Sequence, residues 1–163
     1  MLSKLSIKQK LILIMLIPLF VVILLAAKLA VDSFSTSKNL QSLDNVVILS
    51  VKIGDLVHET QKERGMTAGF LGSNGEKFKI ELPAQRLVVD EKFKELNAFL
   101  STFDKDVYSS EFLENLNNSL KKLQDLNNNR TGVNNLSINT GVAIAYYTDT
   151  ISLLLNTVGT ITK

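Results

Sequence analysis

Apolar residues recur at intervals of three and four along most of this chain, and that spacing constrains the fold more than any other feature. No segment of residues 32–163 alternates apolar and polar residues as a half-buried strand would, and Pro83 is the only proline there. Because a helix repeats every ~3.6 residues and a strand every two, the spacing predicts an all-α protein.

Residues that stop or start helices divide the sequence into four predicted helices. We expect the first to end at Gly72–Gly75, where two glycines and an asparagine favour a helix stop. The second begins near Pro83, the third near Ser109 and the fourth near Leu136, with the asparagine-rich residues 127–135 as a loop. Short polar connections between amphipathic helices predict an antiparallel four-helix bundle.

An uncharged run of 17 residues, Leu11–Ala27, lies near the N-terminus. Extended past Lys28 to Val31, it has 21 residues, or ~31 Å of helix, about the thickness of a bilayer core. We therefore predict a transmembrane helix over residues 11–31 that continues into the bundle. A cleaved signal peptide is the alternative, although the apolar region of a signal peptide is usually shorter.

The charge distribution predicts an orientation. Four lysines and no acid precede Asp32, whereas the remainder has two more acids than bases. By the positive-inside rule, residues 1–10 form a basic cytoplasmic tail, and residues 32–163 lie on the periplasmic side of a bacterial inner membrane that is crossed once. The mildly acidic body argues against nucleic acid as a partner, because nucleic-acid binding needs a basic face.

The residue types exclude several chemistries. The chain has no cysteine and one histidine, His58, so neither a thiolate metal site nor a His-based catalytic triad can be assembled. Glu59 and Glu63 lie four residues apart beside Lys62, and we interpret them as a solvated helix face rather than an acid–base pair. We therefore expect neither an enzyme nor a bound metal or cofactor.

Polar residues interrupt the predicted apolar face of the first helix. That face joins two neighbouring stripes, which consist of Leu40, Leu43, Val47 and Val57, and of Val46, Leu49, Ile53 and Leu56. Continuing the first stripe places Gln61 and Arg64 among apolar positions, and Thr67 falls on the second. A buried guanidinium is costly unless it is paired, and Arg64 has no acid three or four residues away.

The second helix repeats this pattern with Arg86 in a core-directed position and Gln85 beside it. Taken alone, each arginine is more simply a structural ion pair, and Asp90 lies one helical turn from Arg86. Taken together, two arginines on the apolar faces of adjacent helices favour an anion pocket, because the guanidinium fork matches planar oxyanions. The predicted ligand-binding residues are Arg64, Arg86, Gln61, Thr67 and Gln85.

The first helix would be much longer than its successors, which leaves apolar surface for something else to cover. The chain also stops inside an apolar pattern, with no glycine or proline after Ile161. We therefore expect a homodimer with the first helices near its axis, or a chain that ends before its domain does.

The run Gln61–Leu71, QKERGMTAGFL, resembles the Q-x-E-R-G-x-S/T-x-x-F/Y-L signature of the NIT family, the nitrate- and nitrite-sensing domains of bacterial receptors. Gln85-Arg86 followed by Asp90 is similar to the family's continuation, and Tyr146-Tyr147 leading to a leucine run is similar to its later segment. The resemblance implies an all-helical domain of chemotaxis transducers and sensor enzymes, in which Arg64 and Arg86 would hold the anion.

The family's second half, with a further K-E-x-A-G-x-E-R-like helix, is absent here, as are a second membrane span, a linker and a signalling region. The resemblance therefore implies the first part of a receptor's sensing domain, which binds nitrate or nitrite and signals through helix rearrangement to cytoplasmic partners of regions outside this chain. The alternative is a membrane-anchored structural helical protein whose arginines are interhelical ion pairs.

Overall fold

The computed structural model describes residues 6–105 and 107–161, except for the side chains of residues 9–10, 12–14, 17 and 34–43. Five helices account for nearly all of the described residues: α1 (Ile7–Gly72), α2 (Glu81–Leu100), α3 (Ser110–Gln124), α4 (Leu126–Asn134) and α5 (Thr140–Thr160). The described residues contain no strand, so the all-α prediction is confirmed, with one helix more than expected.

Two compact units make up the chain, Met1–Asp44 and Asn45–Lys163. In the first unit, the described side chains of Leu16, Phe20, Leu24 and Leu29 are exposed. Within the described residues, no helix has a stretch that is long and apolar enough to cross a membrane. The prediction of a transmembrane helix over residues 11–31 is therefore wrong, and so is the predicted location of residues 32–163 outside a bacterial inner membrane.

The physical reason lies in the length of the apolar run. The uncharged stretch Leu11–Ala27 has 17 residues, or ~26 Å of helix, which is at the lower limit of the lengths that cross a bilayer core of ~30 Å. The longer estimate depended on counting past the charge of Lys28. The predicted basic tail, residues 1–10, lies partly outside the described residues.

In the second unit, α1 buries one continuous stripe of residues at three- and four-residue spacing. The stripe begins with Leu49, Ile53 and Leu56 and continues through Thr60, Glu63 and Thr67, all of which are completely buried. Val47, which was assigned to the neighbouring stripe, is 61% exposed, and the side chains of Leu40 and Leu43 lie outside the described residues. The second predicted stripe therefore faces the core, together with Val57 of the first, which is also buried.

Local capping residues set the ends of the helices. The predicted stop after Gly72 is confirmed, because Asn74 adopts a left-handed conformation with φ 53° and the Gly75 N–H donates to the Phe70 carbonyl. The Ser109 Oγ accepts a hydrogen bond of 3.2 Å from the Phe112 N–H and so caps α3. All five helices contribute residues to the main core, in which α3 and α5 pack closely together.

The short helix α4 was predicted to be a loop, and that prediction is wrong. Asparagine is a poor helix former, which explains the error. Leu126, Arg130 and Val133 nevertheless lie at helical spacing and are all buried. The helix ends with Leu136 in a left-handed conformation of φ 51°, where the Ser137 N–H donates to the Gly132 carbonyl.

Candidate functional site

Charged and polar side chains cluster where four helices of the second unit meet, and all of them except the exposed Asp90 are buried. α1 supplies Glu63, α2 supplies Arg86 and Asp90, α4 supplies Arg130, and α5 supplies Tyr147. Glu63 is completely buried because it continues the core stripe of α1. Its assignment to a solvated helix face is therefore wrong. In place of water, Arg130 and Tyr147 donate hydrogen bonds to the Glu63 carboxylate.

Arg130 holds the Glu63 carboxylate through two parallel hydrogen bonds. Its Nε lies 2.8 Å from Oε1 and its Nη2 lies 2.8 Å from Oε2 of Glu63. The remaining terminal nitrogen, Nη1, donates to Asp90 Oδ1 at 2.6 Å. Burial by itself would lower the pKa of Arg130, but the hydrogen bonds and negative charges of Glu63 and Asp90 outweigh burial and raise it. The guanidinium of Arg130 therefore stays charged and fully engaged.

Tyr147 completes the surroundings of the carboxylate from α5. Its hydroxyl donates a 2.8 Å hydrogen bond to Glu63 Oε1 and accepts a long one, 3.5 Å, from Thr67 Oγ1. Burial and the neighbouring Glu63 charge raise the pKa of Tyr147, because both disfavour a phenolate. Thr67, predicted to bind a ligand, therefore lies at the edge of this cluster.

Arg86 is the one cluster member whose guanidinium is only partly satisfied. Its Nη1 donates to Asn134 Oδ1 at 2.7 Å, whereas its Nε lies 3.5 Å from Glu63 Oε1 without hydrogen-bond geometry. Within the described residues, neither Nε nor Nη2 has a hydrogen-bond partner, although both atoms are buried. Burial lowers the pKa of Arg86, and the negative charges of Glu63 and Asp90 counteract this only in part. The Nε–Nη2 edge is thus a buried pair of donors without an acceptor.

The expected ion pair between Arg86 and Asp90 is replaced by a longer-range arrangement. The carboxylate of Asp90 accepts a hydrogen bond from Arg130 of α4. Arg86 instead donates to Asn134 and lies beside the carboxylate of Glu63. The acid one helical turn from Arg86 therefore connects α2 to α4 instead.

The other three predicted ligand-binding residues lie apart from this cluster. Gln85 is buried, and its Nε2 donates to the Glu59 carbonyl at 3.1 Å and to Glu59 Oε2 at 2.7 Å. The hydrogen bond from Lys62, followed by that from Gln85, lowers the pKa of Glu59. Gln61 is exposed. Arg64 is half-buried, and its Nη1 donates to Thr148 Oγ1 of α5 at 3.2 Å. A role for any of them in binding stays a prediction.

The sequence alone did not identify Glu63, Arg130 and Tyr147 as members of this cluster, or Asn134 as the hydrogen-bond partner of Arg86. Two signals were present. Glu63 lies between Thr60 and Thr67 on the stripe that begins with Leu49, and Arg130 is the only basic residue between Lys122 and Lys163. A lone arginine at helical spacing from buried apolar residues indicates a specific partner.

Comparisons with known proteins agree with this architecture. A family model described as nitrate and nitrite sensing, NIT, matches residues 55–163. Among solved structures, one titled "Structure of the NasR transcription antiterminator" is 28% identical, with a TM-score of 0.68. The match covers 78% of this chain and 36% of that one. No curated protein matches the chain. The family match confirms the resemblance seen in the run Gln61–Leu71. The chain therefore belongs to the NIT family of nitrate- and nitrite-sensing domains.

Proposed function

We propose that the second unit binds nitrate or nitrite at the buried edge of Arg86 and responds by changing the packing of α1, α2, α4 and α5. The chain then serves as the sensing part of a signalling receptor and catalyses no reaction. Chemotaxis is the output that the sequence resemblance suggests. Family membership supports the ligand class, and the geometry around Arg86 supports the place of binding.

The observation that carries this proposal is the pair of buried donors on Arg86. Nε and Nη2 form one edge of the planar guanidinium, and their N–H bonds run parallel. That edge matches two oxygens of a planar oxyanion, as the same edge of Arg130 already does with the carboxylate of Glu63. A buried donor pair costs free energy while it lacks an acceptor, so an oxyanion would recover that cost on binding.

A structural cluster without a ligand is the second candidate function. It is favoured by the balance of charge, because Glu63 and Asp90 together neutralise Arg86 and Arg130. In that case the cluster only joins the helices, and added nitrate would have no specific effect.

Thermal melting of the full chain with nitrate, nitrite or chloride at equal ionic strength separates these two functions. A ligand at 100 times its dissociation constant should add ~2.7 kcal/mol of stability. We expect nitrate or nitrite to raise the melting temperature beyond the chloride control. Equal effects of all three salts would refute the proposal.

Two arginine variants locate the site. Arg86→Lys keeps a positive charge but loses the planar edge, so we expect it to remove the nitrate effect. Arg64→Lys makes the same exchange outside the cluster, where the guanidinium has one hydrogen bond to Thr148. If Arg64→Lys removes the effect and Arg86→Lys does not, the anion binds on the outer α1–α5 surface instead.

We also propose that the chain acts as a homodimer, as the uncovered apolar surface of its first helix suggests. Light scattering of the full chain over a range of concentrations tests this. A monomer mass at every concentration would contradict it.

A further inference from the structure

Arg130 binds the Glu63 carboxylate through two parallel hydrogen bonds, as an arginine would bind a planar oxyanion. A carboxylate and a nitrite or nitrate ion share a flat arrangement of oxygens that accepts parallel N–H bonds. Glu63 is completely buried and receives two hydrogen bonds from Arg130 and one from Tyr147. It is thus an anion of the protein itself, bound within the arginine cluster.

The two arginines share this anion unequally. Arg130 lies 2.8 Å from each carboxylate oxygen, whereas Arg86 approaches only Oε1, at 3.5 Å. Arg130 is also bound to Asp90, so its donors are occupied, whereas the Nε–Nη2 edge of Arg86 has no hydrogen-bond acceptor among the described residues. An incoming anion would therefore meet Arg86 as the available donor and Glu63 as the nearest negative charge.

We infer that Glu63 is the residue that sets the affinity and selectivity of this site, because its carboxylate competes with the incoming oxyanion for Arg86. This inference rests on the proposed function for the identity of the ligand. The cluster is neutral without a ligand, so a bound anion adds a negative charge beside Glu63 in a site of low dielectric constant. Only an ion that satisfies the planar edge of Arg86 gains enough to offset that repulsion, which disfavours a spherical ion such as chloride.

The test is to replace Glu63 by glutamine in the full chain and titrate the protein calorimetrically with nitrate and with formate. Glu63→Gln keeps the size and planarity of the side chain and removes its charge. We expect nitrate to bind roughly 10-fold more tightly, or better, than to the wild type. We also expect formate, the smallest carboxylate, to bind the variant more tightly than the wild type, because it too presents two oxygens to the planar edge of Arg86.

Glu91→Gln is the matched control. It makes the same change of net charge on α2, at an exposed side chain whose ion pair is with Lys94 at 3.7 Å. We expect its nitrate affinity to equal that of the wild type. A gain in Glu91→Gln as large as that in Glu63→Gln would overturn the inference, since the effect would then come from overall charge.

Loss of the Glu63 charge could unfold the protein, and circular dichroism keeps the inference testable in that case. Nitrate and formate should then restore the helical signal of Glu63→Gln, while chloride at the same ionic strength should not. Failure of both planar anions to restore it would count against the inference.

The proposed function and this inference fail separately. If the wild type binds nitrate and Glu63→Gln binds it no more tightly, the function stands and the role of Glu63 falls. If the wild type binds no nitrate but Glu63→Gln does, Glu63 fills an anion site and the sensing proposal falls.

Discussion

Replacing Arg130 by methionine should destabilise the second unit by ~3 kcal/mol. Breaking a buried ion pair by removing one partner costs ~3–5 kcal/mol, because the remaining charge stays buried. Here Arg130→Met removes both 2.8 Å hydrogen bonds to Glu63 and the 2.6 Å one to Asp90. We expect the lower end of that range because Glu63 keeps its hydrogen bond from Tyr147 and has Arg86 nearby.

Urea unfolding of the full chain, followed by circular dichroism, measures this loss as a lower midpoint at unchanged slope. Arg64→Met is the matched control: it removes the same functional group from a half-buried site with one hydrogen bond, to Thr148. It should change the free energy of unfolding by less than ~1 kcal/mol. Equal effects of Arg130→Met and Arg64→Met would refute the reasoning.

A double-mutant cycle sharpens the result. Because the main penalty of Arg130→Met is the unpaired Glu63 charge, adding Glu63→Gln should recover part of it. The double variant should therefore lose less stability than the sum of the two single changes, by ~1 kcal/mol or more. Additive losses would show that the two side chains are not coupled, contrary to their geometry.

Gly69, Ser109 and Tyr147 each offer a further test of the packing of the second unit. Gly69→Ala should cost ~1–3 kcal/mol, because its Cβ would overlap the Phe78 ring, whereas Gly65→Ala, with nothing within 4 Å, should stabilise α1 by up to ~1 kcal/mol. Ser109→Ala removes the cap of α3 and should lower the stability by ~1 kcal/mol in the same urea assay. The raised pKa of Tyr147 shows that folding favours the protonated phenol. Its contribution to the free energy of unfolding is therefore fully present below pH ~10 and is lost as the pH rises further. Tyr147→Phe should thus lose less stability than the wild type at alkaline pH.

Each of these has a result that would contradict it. Equal stabilities of Gly69→Ala and Gly65→Ala would mean that the Phe78 ring moves aside without cost. A neutral Ser109→Ala would mean that water replaces the cap. An unchanged alkaline slope in Tyr147→Phe would place the titrating group elsewhere.

Four of the five helices could be predicted from the sequence because their signals are local. Two glycines and an asparagine ended α1 where expected, and α3 begins at Ser110 beside the predicted Ser109. The buried face of α1 was harder to choose. Two neighbouring stripes were both apolar, and only the packing of other helices selects the one that starts with Leu49.

The site could be predicted only in part, because its key contacts are distant in sequence. Arg86 was recognised from its position on an apolar face, but Glu63 was taken as exposed because carboxylates usually are. Its burial depends on Arg130, 67 residues later, within a segment whose asparagines predict a loop. No local rule predicts that a nine-residue helix forms there, since its stability comes from packing against α1, α2 and α5.

The dependence of α4 on one arginine has a consequence for the order of folding. A helix of nine residues is too short to persist by itself, and the Glu63–Arg130 contact must close a loop of 67 residues. We expect such a contact to form late, after the nearer pairing of α3 with α5. Interactions absent from the transition state slow unfolding without speeding folding. The cluster around Glu63 should therefore slow unfolding. Without Arg130, we expect the protein to fold at nearly the same rate and to unfold faster.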